Sequence, residues 1–75
     1  MHENMIRLFK PKNENTALLP CPFCGNAEIV YEEYEAQAGR RFRCWCTNCM
    51  AGIDPGYAQD THTVRRMWNS RTATN

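Results

Sequence analysis

The chain has 75 residues, which excludes more than one domain, and a chain of this size buries too little surface for a hydrophobic core alone to stabilise it. Its formal net charge of +1 argues against a nucleic-acid-binding protein, because such proteins usually carry clustered Lys and Arg. An additional stabilising element is therefore required, and the five cysteines are the candidates.

The N-terminal stretch MHENMIRLFKPKNE contains no apolar run of signal-peptide length. No later run approaches the roughly 18 residues needed to cross a bilayer. We therefore expect a cytoplasmic protein without a membrane segment. Disulfide bonds are rare in the cytoplasm, and an odd number of cysteines fits a disulfide framework poorly, so the closely spaced cysteines favour metal ligation.

Residues 1–17 are rich in Asn, Glu and Lys, and we predict that they form a flexible N-terminal arm, because chain ends that nothing ties down are usually disordered. Their apolar side chains are too few and too irregularly spaced to predict a core element: Met5, Ile6, Leu8 and Phe9. A segment that orders on a partner is the alternative. Residues 72–75 are predicted to be a disordered tail, which leaves 18–71 as the folded domain.

Two stretches rich in β-branched and aromatic residues, 28–34 and 40–46, flank the turn residues AQAG and predict a β-hairpin. A loop at 36–39 would place Tyr31 opposite Cys44 and Glu35 opposite Arg40. One face would then belong to the core: Ile29, Tyr31, Phe42, Cys44 and Cys46. The other face would be exposed to solvent, with glutamates of the first strand beside arginines of the second.

The stretch DTHTVRRMWNSR at 60–71 predicts a short amphipathic helix. Asp60 and Thr61 are both good N-caps. The apolar stripe has helical spacing and consists of Val64, Met67, Trp68 and the aliphatic stem of Arg71. We expect this stripe to pack against the core face of the hairpin, with Trp68 as the largest contributor.

The cysteines form two C-x-x-C pairs on either side of the hairpin, Cys21 with Cys24 and Cys46 with Cys49. Each C-x-x-C turn lets two sulfurs converge on one ion, and Gly25 supplies the positive φ at which the chain leaves the first turn. Two such turns complete a tetrahedral shell of four thiolates at about 2.3 Å per bond. The spacing predicts one structural Zn²⁺ in a zinc ribbon, a small α+β domain with two knuckles, one hairpin and one C-terminal helix.

Other uses of these cysteines fit the sequence less well. A redox dithiol usually sits as one pair at the start of a helix in a βαβ unit, whereas here a strand follows the first pair. A closed four-thiolate site leaves no position for water or substrate, and no catalytic set of side chains comes together, so we expect no enzymatic activity. Cys44 competes as a ligand in principle, but we expect it to pack as a small hydrophobe. His62, in the first helical turn, is expected to be exposed.

Together, LLPCPFCG at 18–25, C-x-x-C at 46–49 and WNSR at 68–71 resemble the restriction alleviation protein (Lar-like) family of phages and prophages. Members are small zinc-ribbon proteins with a PCPFCG knuckle, a hairpin, a second C-x-x-C and a helix ending in W-N-x-R. The resemblance implies the same four zinc ligands, and it marks Trp68 and Asn69 as the helix signature.

Two positions depart from the family pattern. The residue after the second pair is usually Gly in this family but is Met50 here, where a positive φ would be costly, so the second turn is expected to differ in geometry. Cys44 stands where a β-branched or other apolar residue is more usual.

The resemblance also implies a function, which is to modulate the host type I restriction–modification enzyme so that restriction of incoming DNA falls. A small rigid ribbon would do this through protein–protein contact that biases the complex between its states. Aromatic and Arg side chains supply interface hot spots, so the expected contact residues are Tyr34, Arg41, Arg43, Trp45, Arg65 and Arg66. The alternative is a nucleic-acid-binding zinc ribbon accessory to transcription or replication, with the hairpin arginines on phosphates.

Overall fold

The structure is a computed structural model that describes residues 4–70. An antiparallel sheet has the strand order β1-β2-β3-β4 and lies against one helix. The elements in chain order are β1 (Asn4–Phe9), a short 3-10 turn (Glu14–Thr16), β2 (Ile29–Ala36), β3 (Gly39–Cys46), β4 (Gly52–Ile53) and α1 (Thr61–Asn69). Among residues 4–70, no helix has the length and apolar character needed to span a membrane.

The β2–β3 hairpin has the predicted register. Tyr31 lies opposite Cys44, and Glu35 lies opposite Arg40. The loop is shorter than expected, because Ala36 and Gly39 also pair and leave a two-residue turn. Gly39, the first residue after the turn, has a φ of 124°, a conformation that favours glycine.

The core forms between the predicted face of the hairpin and the helix. Its buried members are Cys21, Ile29, Tyr31, Cys44, Cys46, Ala58, Val64 and Trp68. Helix α1 begins after Asp60, whose side chain accepts a hydrogen bond from the backbone amide of Thr63 at 2.9 Å, as an N-cap does. Trp68 donates from Nε1 to the carbonyl oxygen of Leu19 at 2.8 Å, which ties the helix to the segment before the first knuckle. Val64 and Trp68 are therefore buried as predicted, whereas Met67 is only half-buried and does not belong to the core cluster.

Strand β1 shows that the prediction of a flexible arm at residues 1–17 is wrong where the structure describes this segment. Asn4–Phe9 pairs antiparallel with β2. The register shifts between Met5 and Arg7, and this bulge breaks the alternation of apolar side chains by which a strand is recognised. Residues 1–3 and the tail at 72–75 lie outside the described residues, as does Arg71.

Side-chain contacts on the helix-facing side of the sheet add to the pairing of β1 with β2. Phe9 stacks on Tyr31 with 5.3 Å between ring centroids and meets Phe42 edge-on at 6.5 Å. The guanidinium of Arg7 lies 4.3 Å from the centroid of the Phe9 ring, and its Nε is 2.6 Å from Glu33 Oε1. These contacts account for the order of a segment whose other apolar side chains remain exposed.

Candidate metal centre

The two C-x-x-C segments form knuckles with the same backbone hydrogen bonds. In the first, the amide of Gly25 donates to the carbonyl of Cys21 at 2.9 Å, and the amide of Cys21 donates to the carbonyl of Asn26 at 2.8 Å. In the second, the amide of Met50 donates to the carbonyl of Cys46 at 3.0 Å, with the matching bond from Cys46 to the carbonyl of Ala51 at 2.8 Å. The first knuckle precedes β2 and the second ends β3, so the hairpin brings both to one end of the sheet.

The knuckles place four sulfurs around one point. All four Sγ atoms lie within 4.8 Å of one another: Cys21, Cys24, Cys46 and Cys49. Two contacts join the two knuckles, at 3.4 Å from Cys21 Sγ to Cys49 Sγ and 3.5 Å from Cys24 Sγ to Cys46 Sγ. Four sulfurs at zinc–sulfur distance from one ion, arranged as a tetrahedron, would be about 3.8 Å apart. The donor set therefore fits a single structural Zn²⁺, as the spacing predicts.

Backbone amides point at the sulfurs and favour their ionised form. Asn48 and Cys49 donate from their amides to Cys46 Sγ at 3.3 and 3.5 Å. Burial raises the pKa of the Cys46 thiol, but these amide hydrogen bonds outweigh it and lower the pKa to about 6. Thiolates are the form that binds zinc, so these amides prepare Cys46 for the ion. The amide of Ala51 acts in the same direction on Cys49, but hydrogen bonds with the other cysteines and burial raise the pKa of the Cys49 thiol to about 12.

Asn26 adds a side-chain contact that sequence reasoning missed. Its Nδ2 donates to Cys46 Sγ at 3.6 Å and to Thr47 Oγ1 at 3.2 Å. The side chain therefore links the first knuckle to a ligand of the second. The sequence could have indicated this contact, because Asn26 directly follows C-x-x-C-G, where the chain is still close to the four sulfurs.

The fifth cysteine and His62 do not belong to this cluster. Cys44 is 1% exposed within the hydrophobic core, where burial raises the pKa of its thiol to about 12. This is the packing role that the sequence predicts for it. His62 is exposed on the first turn of α1.

Comparison with known proteins matches residues 16–72 to the family model described as restriction alleviation protein Lar. The chain belongs to this family. The match includes both knuckles, the hairpin and α1, while β1 precedes it. No curated protein and no solved structure matches the chain. Restriction alleviation is accordingly the general function of this Lar-family protein.

The second knuckle of this Lar-family chain corrects one expectation. Met50 has a φ of 68°, close to the 78° of Gly25, so the turn keeps the geometry of the first knuckle although it lacks the glycine. The amide of residue 50 must reach the carbonyl of Cys46, and this hydrogen bond holds Met50 in the left-handed region despite its side chain.

We predict that Met50→Gly stabilises the Lar-family protein by up to about 1 kcal/mol, since relief of the left-handed conformation (about 1–2 kcal/mol) exceeds the entropy cost of an added glycine. The Met50 side chain is 66% exposed, so little packing is lost. The free energy of unfolding at fixed zinc concentration measures the effect. Met50→Ala is the control, because it keeps a Cβ at positive φ and should bring no gain. Equal stability of the glycine and alanine variants would contradict the prediction.

Three of the predicted contact residues instead make an intramolecular network on the sheet face opposite the helix. Tyr34 is 2% exposed and donates from its hydroxyl to Asp54 Oδ1 at 2.7 Å, so its prediction as a contact residue is wrong. Arg43 lies over the Tyr34 ring at 4.1 Å and pairs with Glu32 at 3.0 Å and with Asp54 at 3.0 Å. Trp45 donates from Nε1 to Glu32 Oε1 at 3.1 Å. The hydrogen bond from Arg43 outweighs burial and lowers the pKa of Glu32, which keeps this carboxylate ionised.

The other three predicted contact residues lie apart from this network. Arg41 donates to the backbone carbonyls of Ala38, Arg40 and Gly56 at 2.7 to 3.5 Å. Arg65 donates to the carbonyl of Ala17 at 3.1 Å, which fixes α1 to the segment before the first knuckle. Arg66 is exposed on α1. The structure therefore does not bring the six residues together as one surface.

Proposed function

We propose that this protein alleviates restriction by binding the host type I restriction–modification complex through protein–protein contact, without catalysis of its own. The proposal rests on one observation: the chain is a Lar-family zinc ribbon in which four cysteine thiolates surround the metal position. Such a centre has no open coordination position, so its zinc acts structurally. We place the protein in the cytoplasm of a bacterium that carries the phage or prophage.

The charges on the hairpin favour a protein partner over nucleic acid. Glu32 and Asp54 pair with Arg43, and Glu33 pairs with Arg40 at 3.4 Å. Affinity for nucleic acid comes mainly from cations that neutralise phosphates. Carboxylates of the same chain neutralise Arg40 and Arg43, which leaves Arg41, bound to backbone carbonyls, as the hairpin arginine without a carboxylate among the ion pairs of residues 4–70. The charge pattern therefore favours a protein partner.

A rigid ribbon can change the outcome of restriction without reacting with DNA. A ligand shifts an equilibrium only by its difference in affinity for the two states. A tenfold shift from the restricting toward the modifying state requires about 1.4 kcal/mol of tighter binding to the latter, which a small interface can provide.

We predict that expression of the protein raises the plating efficiency of unmodified phage on a host with a type I restriction system. Cys21→Ser should abolish the rise, because it removes a zinc ligand. Cys44→Ala is the matched control, since it also replaces a buried cysteine but leaves the four ligands in place. The zinc content of each variant is measured alongside.

Two results would overturn the proposal. Unchanged plating with soluble, zinc-loaded protein would remove the type I system as the target. Cleavage of plasmid DNA by the purified protein, lost in Cys21→Ser, would show that the protein acts by catalysis.

A further inference from the structure

Strand β4 borders a separate concavity on each face of the sheet. On the helix side, Gly52 and Ile53 line a groove of about 800 Å³ together with Phe23, Met67 and Trp68. On the opposite face, the same two β4 residues line a pocket of about 320 Å³. Within residues 4–70, β4 is at the edge of the sheet and pairs with β3 alone. β4 is an edge strand of two residues, whose outward backbone groups can hydrogen-bond to one further extended segment beside the two concavities.

Phe23 is exposed beside the groove, although the geometry of the knuckle does not require an aromatic side chain at this position. It is 79% exposed between the first two ligands. The second knuckle has the same backbone hydrogen bonds, yet the equivalent position is the polar Asn48. The knuckle fold therefore does not require an aromatic side chain here. Together with Ile53 and Met67 of the groove, Phe23 forms a contiguous apolar patch, which is the feature that marks a contact surface.

The two concavities differ in charge and so select different side chains. None of the described residues that line the groove is charged, which suits an apolar side chain. The pocket contains the carboxylates of Glu32 and Asp54 and the single guanidinium of Arg43. One negative charge is in excess among these three groups, so the pocket favours a basic side chain.

We propose that β4 accepts an extended segment of a partner protein as an additional strand, with an apolar side chain in the groove and an adjacent basic side chain in the pocket. Successive side chains of a strand point to opposite faces, so neighbouring residues of one segment reach the two concavities. Backbone hydrogen bonds to β4 supply affinity, and the two side chains supply specificity. The identity of the partner as the restriction–modification complex rests on the proposed function.

The probe is a capped heptapeptide with a central leucine between two lysines and threonine elsewhere. It is titrated into zinc-loaded, ¹⁵N-labelled protein at low salt. We expect amide shift changes at Phe23, Gly52, Ile53 and Met67, and about tenfold weaker binding when glutamate replaces both lysines. A version N-methylated on the edge that faces β4 should not bind, because the hydrogen bonds of an added strand are blocked.

Phe23→Asn is the test variant, since the second knuckle shows that the turn accepts Asn. It should weaken peptide binding at least fivefold with zinc content and circular dichroism unchanged. Met5→Gln is the matched control, because Met5 is 58% exposed on β1 at the opposite edge of the sheet. This variant should bind the peptide as the unaltered chain does.

Several results would overturn the proposal: no shifts at β4, equal binding of the N-methylated peptide, or equal binding of the glutamate peptide. Tighter binding after deletion of residues 71–75 would also overturn it, because the chain's own end would then occupy the groove. In the plating assay, Phe23→Asn should lose alleviation and Met5→Gln should keep it. Full alleviation by Phe23→Asn would exclude this surface as the restriction contact, whereas no alleviation by the unaltered protein would count against the proposed function itself.

Discussion

Removal of zinc is expected to unfold the domain. Two of the ligands, Cys21 and Cys46, are buried members of the hydrophobic core, so the metal centre and the core form together. Apparent binding energies for structural zinc are on the order of 10–16 kcal/mol, which equals or exceeds the whole stability of a typical domain. A strong chelator should therefore abolish the circular dichroism of the sheet and helix and shift the tryptophan fluorescence, to which Trp45 and Trp68 both contribute, toward that of a solvated indole.

The control for this prediction is again Cys44→Ala, which should bind one zinc per chain and unfold at a similar chelator concentration. Cys21→Ser should already be unfolded before chelator is added. Retention of the native spectra at full zinc removal would show that the core forms without the ion.

Trp68→Ala is expected to lower the free energy of unfolding by about 3–5 kcal/mol, the usual cost of truncating a buried Trp. Trp68 is 5% exposed in the core, and its indole holds the carbonyl of Leu19. The substitution leaves a cavity between α1 and the hairpin and an unpaired carbonyl beside the first knuckle. Denaturant unfolding of the zinc-loaded protein, at one fixed zinc concentration, measures the change.

Trp68→Phe separates the two effects. It keeps most of the apolar ring but removes the hydrogen bond to Leu19, so we expect a smaller loss of about 1–3 kcal/mol. Equal losses for Trp68→Ala and Trp68→Phe would show that the hydrogen bond, rather than packing, dominates. A loss below about 1 kcal/mol for Trp68→Ala would contradict the role of this side chain as a core member.

The sequence predicted the parts of the fold that local spacing determines. The register of the hairpin followed from the position of the turn residues AQAG, because a turn aligns the two strands beside it over few residues. The four ligands followed from two short motifs, and the start of α1 followed from Asp60.

The parts that sequence reasoning missed depend on residues far apart in the chain. Tyr34 and Arg43 were expected on the surface, but Asp54, in the loop after β4, binds both side chains. Strand β1 was missed because its bulge disrupts the period of two and because Arg7 finds Glu33 across 26 positions. Tertiary contacts of this kind leave no signature in a window of a few residues.

The tight turn between β2 and β3 has a consequence for the order of folding. With only two residues in the turn, the hairpin is closed by contacts between near neighbours, and hairpins form in about 1–10 µs. The sulfurs of Cys24 and Cys46 are separated by 22 positions, and the zipped strands already bring them to one end before the ion arrives. Much of the entropy cost of closing that loop is thus incurred when the hairpin forms. An isolated two-stranded hairpin is only marginally stable in water, so we expect it to form transiently in the zinc-free chain and to persist once the ion holds both knuckles.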